Sequence, residues 1–186
     1  MNEERDSTHA FVWTTVWSVV FVLLDTSFLP DVFSLVGLAP PTYPSLAWTW
    51  AVVVAFVGGE RAGAFYGALY GILHDAAFGR AVGPGIATGL FAGLLAGTLS
   101  HVVQPSPFTA GGVVFLFSLI RGAFFSSVSS LFGELGIPLS SLFWGAILPR
   151  AFWEAFFAVL LYARFHETLE DFRRTGEGGQ EGRGGA

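Results

Sequence analysis

Apolar runs recur along nearly the whole chain, and only short polar, glycine- or proline-bearing segments interrupt them. A helix that crosses a bilayer needs about 20 mainly apolar residues, within a range of about 17–25. Six runs answer to that description, at residues 10–29, 43–57, 62–78, 84–103, 109–132 and 138–165. The second and third are short, and only "GGER" separates them, which predicts a tight helical hairpin. A second run beginning nearer Pro40, or one that re-enters without crossing, are the alternatives. The longest connection, "PDVFSLVGLAPPT", carries Pro30, Pro40 and Pro41 and has room for a short interfacial turn. "QPSP" and "GELGIP" end the later runs on clear breaker signals. The fold class expected is all-α: a polytopic membrane protein built as a six-transmembrane-helix bundle over 10–165.

Composition agrees with a lipid solvent. Of 186 residues, 53% are hydrophobic and 12% charged, where a soluble domain is about a quarter charged. Cysteine is absent, which removes disulfide and thiolate-metal chemistry. The net charge of -5 speaks against nucleic acid as a partner. The first run follows the acidic "MNEERDSTH" and has no small-residue cleavage site after it, so it is expected to be a retained span. Arginine placement sets the orientation. With both termini cytoplasmic, Arg5, Arg61, Arg164, Arg173, Arg174 and Arg183 lie inside and Arg80 alone lies outside. Residues 1–9 are then a short cytoplasmic N-terminus. Residues 166–186, ending in "TGEGGQEGRGGA", are too poor in apolar residues to order themselves and read as a disordered cytoplasmic tail.

Glycine recurs every fourth residue in "GAFYGALYGILHDAAFGRAVGPG". Residues four apart share a helix side, so Gly63, Gly67 and Gly71 form a smooth face on the third run, and Gly85, Gly89, Gly93 and Gly97 form another on the fourth. Small residues let membrane helices approach closely, so these are candidate helix-packing or partner faces. Asp75 stands in the ladder, followed by Gly79 and Gly83. A carboxylate inside a membrane costs roughly 2.5–3.5 kcal/mol at the centre. Several fates suit Asp75: solvation at the interface, pairing with an arginine, capping the glycine-rich turn through its backbone amides, or, least favoured, a catalytic or ligand role.

Asp25, Arg121, Arg150 and Glu154 are the other charges within the runs. Arg150 and Glu154, four apart, can pair along one helix, and Pro149 loosens that helix beside them. Such residues need partners. A buried structural network, an ion or substrate path, and a contact with a membrane partner all accommodate them. Enzymatic chemistry finds no motif: Ser126, Ser127, Ser129 and Ser130 cluster, and His74 adjoins Asp75, but no metal spacing, nucleophile elbow or phosphate loop is present. No catalytic residue, cofactor or metal is expected.

The first run ending "VVFVLLDTSFLP", the proline-led second run, the "GGER" turn and the series Gly67, Gly71, Asp75, Gly79, Gly83 together resemble the rod shape-determining protein MreD family, over roughly residues 15–165. The resemblance implies a non-enzymatic scaffold in the bacterial inner membrane, acting in cell shape and lateral peptidoglycan synthesis. Its implied partners are an MreC-type bitopic protein, through it the MreB filament and the wall polymerase and transpeptidase pair, and membrane lipid. It also implies a fold similar to the substrate-binding S components of energy-coupling-factor vitamin transporters. That similarity supplies the alternative function, in which Trp13, Trp17, Trp48, Trp50, Trp144 and Trp153 would line a vitamin pocket.

Overall fold

The computed structural model describes residues 2–35, 37, 42–78, 83–131 and 139–170, and all regular structure among them is helical. α1 runs Asn2–Ser27, and the short α2, Leu29–Leu35, occupies the first part of the long connection. α3 covers Leu46–Phe78, α4 Pro84–Leu99 and α5 Pro107–Leu131. α6 (Leu139–Leu142), a π-helical segment (Phe143–Ile147) and α7 (Leu148–Arg164) follow one another without a break. Four segments are long and apolar enough to cross a membrane: His9–Ser27, Leu46–Ala77, Pro107–Val128 and Ser140–Arg164. Pro84–Leu99 is apolar but shorter.

α3 is not a straight rod. At Gly59 the backbone takes φ 80° and ψ −171°, a conformation in which a Cβ is strained and which belongs essentially to glycine. The chain folds back there. The Trp48 and Tyr70 rings lie 5.4 Å apart, although 22 residues of straight helix would separate them by about 33 Å. A Cβ placed on Gly63 would stand 3.4 Å from that of Ala55. The hairpin expected at "GGER" therefore turns on a single residue, with Glu60 and Arg61 already helical.

The first limb, residues 46–58, is the axis of the fold. Trp48, Trp50, Val52, Val53, Val54, Ala55 and Phe56 are all at most 2% exposed. Its length of about 20 Å falls short of the roughly 30 Å of a bilayer core. Protein rather than lipid surrounds it, so its length need not match that thickness. α1, α5 and α7 all pack against α3, and Trp50 donates its indole N–H to Ser18 on α1 at 3.2 Å.

The second limb, residues 60–78, pairs with α4 in the most extensive helix contact among the described residues. Gly63 faces Gly93, Gly67 faces Gly89 and Gly71 faces Gly85, with Gly97 against Gly59 at the turn. A Cβ on any of these residues of the second limb or α4 would run into the backbone or capping carboxylate opposite. The two glycine faces are thus consumed by each other inside the chain. Gly79 lies outside the described residues.

At the C-terminal end, order extends past the expected boundary of the membrane domain at 165. Phe165 wedges between Trp17 and Trp50, at 5.0 and 5.1 Å between ring centroids. A helical stretch over 166–170 follows, in which Leu169 is 1% exposed. This apolar anchor is why the chain stays packed there; the rest of the expected tail, 171–186, lies outside the described residues.

Candidate functional site

Asp25, Arg121, Arg150 and Glu154 gather at one end of the bundle, around the N-terminus of the buried first limb of α3. The first amides of a helix have no partner within it and carry the positive end of its dipole. Asp25, near the end of α1, takes two of them: Leu46 N–H on Oδ1 at 2.9 Å and Ala47 N–H on Oδ2 at 3.0 Å. The Ser45 hydroxyl donates to Oδ2 at 2.7 Å and accepts Trp48 N–H at 3.1 Å, so Ser45 is the helix cap. The Ser45 amide itself donates across the bundle to Glu154 Oε1 at 3.0 Å.

Glu154 joins this cap to the two arginines. It is 0% exposed and its Oε1 accepts Arg150 Nε at 2.8 Å along α7. Arg121 Nη1 on α5 stands 4.0 Å from the same oxygen. The Arg121 guanidinium lies over the Trp48 ring at 4.6 Å and near Tyr70 at 5.6 Å, a cation–π arrangement that suits a charge removed from water. Trp48 is held in turn by its indole N–H on Ser118 Oγ at 3.1 Å. Arg121 Nη1, Glu154 Oε2 and Tyr70 Oη are buried with no hydrogen-bond partner among the described residues.

Asp75 serves a second helix terminus. Its carboxylate accepts the amides of Gly83 at 2.8 Å, Gly85 at 2.9 Å and Ile86 at 3.2 Å. It thereby caps α4 from eight residues upstream of Gly83, whose φ of 135° turns the chain into the helix. Pro84 follows at the first helical position, where a missing N–H costs nothing. A side chain at 85 would collide with Asp75 Oδ1, so glycine there admits the carboxylate. Of the fates open to Asp75, the structure places it on the backbone amides of Gly83, Gly85 and Ile86; Arg80 lies outside the described residues.

Between these two caps lies a cavity of about 290 Å³. Its polar lining is His74, Ser118, Arg121, Ser126 and Arg150, and Phe125 and Ile147 contribute apolar walls. The π-helical turn shapes it: Leu148 N–H bonds Phe143 O, five residues back, which widens the helix just before Pro149, where the ring removes a donor. Ala146 and Ile147 of that turn border the cavity. Beyond Arg121, a groove of about 250 Å³ lined by Phe91, Leu95, Phe117, Ile120 and Phe124 opens between α4 and α5. Arg121 borders both spaces.

Asp25, Arg121, Arg150 and Glu154 are thus brought together, and Asp75 and the glycine ladder form a separate unit whose neighbour His74 reaches the cavity. The tryptophans do not gather at the polar cavity, and Trp17 packs with Trp50 on Phe165. Trp48 and Trp50 are buried, Trp13, Trp144 and Trp153 are exposed at 55%, 69% and 37%, and none borders the polar cavity. Ser45, Tyr70 and Ser118 were not anticipated. "PS" ahead of an apolar run is a cap signal for Ser45, obscured by starting that run at residue 43. Tyr70 and Ser118 offered no signal in spacing. Compared with models of protein families, with curated proteins and with solved structures, the chain finds no match.

Proposed function

We propose that this chain is a six-pass scaffold of the bacterial wall-elongation complex, which binds an MreC-type bitopic protein and, through it, the MreB filament and the polymerase and transpeptidase pair. The reading is carried by one observation: Gly63, Gly67, Gly71, Asp75 and Gly83, which bear the resemblance to the MreD family, fold as a single closed hairpin with α4. Each residue type in the series has a defined task there, close approach for the glycines and amide capping for the aspartate. The fold-back at Gly59 supports six passes, formed by α1, the two limbs of α3, α4, α5 and the continuous helix 139–164. Arg61 and Arg164 then share the cytoplasmic end with both termini, and the polar cavity faces outward. Because the glycine faces are occupied by each other, a partner's membrane helix docks on a lipid-facing surface.

The second reading, an S component of a vitamin transporter, draws on the five polar side chains around the cavity, since a few convergent polar groups mark a small-molecule site. Absence of tryptophan from that lining weighs against the pocket expected for it. Affinity purification of the tagged chain from membranes in mild detergent separates the two. Recovery of an MreC-type protein with the wall polymerase and transpeptidase is the expected result. Recovery of a transport subunit with paired ATPases, and no MreC-type protein, overturns it in favour of the second reading.

A further inference from the structure

We propose that the cavity between Arg121 and Arg150 binds the phosphate or carboxylate head of an anionic amphiphile, whose hydrocarbon chain lies in the adjoining groove between α4 and α5. In number, the carboxylates Asp25 and Glu154 match the two guanidiniums, but their oxygens are committed elsewhere. Among the described residues, the hydrogen bonds to Asp25 come from Ser45, Leu46 and Ala47. Glu154 Oε1 is divided between Ser45 N–H and Arg150 Nε. Arg121 is 9% exposed, and its Nη1 makes no hydrogen bond among the described residues. Arg150 is bonded there through Nε alone, which leaves its two terminal nitrogens to the cavity it lines.

Two guanidiniums with undischarged donors form a fork suited to a planar or tetrahedral oxyanion. The positive end of the first limb of α3 adds to the field at this end of the bundle. Ser118 accepts from Trp48 and retains its own hydroxyl proton, and Ser126 adds a second hydroxyl to the lining. The volume is at the lower end of small-molecule sites, which span about 300–1,000 Å³. A free anion would use only this space. Arg121, however, is also a wall of the groove, whose remaining lining is apolar apart from Thr88. A molecule with one anionic group and an alkyl chain fills both at once, and it reaches the site laterally from the membrane.

The proposal rests on the cavity and not on the wall-elongation reading, so lipid binding and partner recovery can fail independently. The full-length chain is purified in neutral maltoside micelles and offered dioleoylphosphatidylglycerol, dioleoylphosphatidylcholine or sodium phosphate at constant ionic strength. Bound lipid is counted by native mass spectrometry. Phosphatidylglycerol is expected to be retained at least tenfold more strongly than phosphatidylcholine and not to be displaced by equimolar phosphate. Arg121→Gln removes the central donor, and Ser126→Phe fills the cavity without touching the ion network; each is expected to reduce retention about tenfold. Ser126→Phe decides the matter if Arg121→Gln does not fold. Equal retention of the two lipids, displacement by equimolar phosphate, or undiminished retention in the folded variants overturns the proposal.

Discussion

Glu154→Ala is expected to destabilise the protein by about 3–5 kcal/mol, the range for removing one partner from a buried ion pair. The carboxylate is fully buried and serves three groups: Arg150, Arg121 and the Ser45 amide. Its loss leaves two guanidiniums without the carboxylate they pair with and one helix-terminal amide without an acceptor. Asp25 cannot take over while its oxygens hold Ser45, Leu46 and Ala47. Glu154→Gln keeps an acceptor for Ser45 but removes the charge, so it is expected to fall between the wild type and the alanine variant. Equilibrium unfolding in mixed detergent micelles, followed by tryptophan fluorescence, reads the difference; a loss below about 1 kcal/mol for Glu154→Ala, the scale of an exposed pair, would contradict the network described.

Gly67→Leu has the other large expected effect. On propensity alone, replacing a mid-helix glycine strengthens a helix by up to about 1 kcal/mol. Here the new Cβ would collide with the Gly89 carbonyl oxygen and stand 2.9 Å from the Gly89 carbonyl carbon and 3.2 Å from Gly93 Cα. These are backbone atoms of a packed helix, which cannot rotate aside as a side chain can. Overpacking costs about 1–3 kcal/mol in ordinary cores, occasionally more, so Gly67→Ala is expected to be destabilising and Gly67→Leu to separate α4 from the second limb. Gly112→Ala on α5 is the control, because nothing lies within 4 Å of its added Cβ. Opposite signs for the alanine variants at 67 and 112 in the same unfolding measurement are the expected outcome. Equal stabilisation at both would mean that the hairpin is looser than described.

How far this architecture could be read in the sequence depended on the range of each interaction. The glycine ladder was legible because its period matches that of a helix and because only close packing gives such a series a use. The turn at "GGER" was legible from its neighbours, yet the requirement at Gly59 is a backbone conformation, and no spacing rule encodes it. The shortness of the first limb of α3 looked like a defect in a crossing helix. Burial on every side explains it, and burial on every side also erases the one-faced periodicity by which a helix announces its environment.

The ion cluster was legible as a need rather than a geometry. Arg121 and Glu154 had to find partners at membrane depth, but they sit on different helices, and nothing local relates them. Asp75 left several fates open for the same reason, since its acceptor role depends on where the amides of Gly83, Gly85 and Ile86 stand relative to it. The stretch over 166–170 was misjudged on composition: "HETLE" is polar, but Leu169 alone supplies its anchor, and His166 and Glu170 pair on the outer side at 3.2 Å.

The central proposal, that α3, folded back at Gly59, makes two passes, is tested most directly by single-cysteine accessibility, for which a chain with no native cysteine is ready. Cysteine is placed at Asp31, Glu60, Ala77 and Gln104, all exposed, and labelled with a membrane-impermeant maleimide before and after permeabilising spheroplasts. The account predicts that positions 31 and 77 react in intact spheroplasts and that positions 60 and 104 react only after permeabilisation. A straight α3 would put 31 and 77 on opposite sides and hide 60 within the bilayer; that pattern would contradict the account.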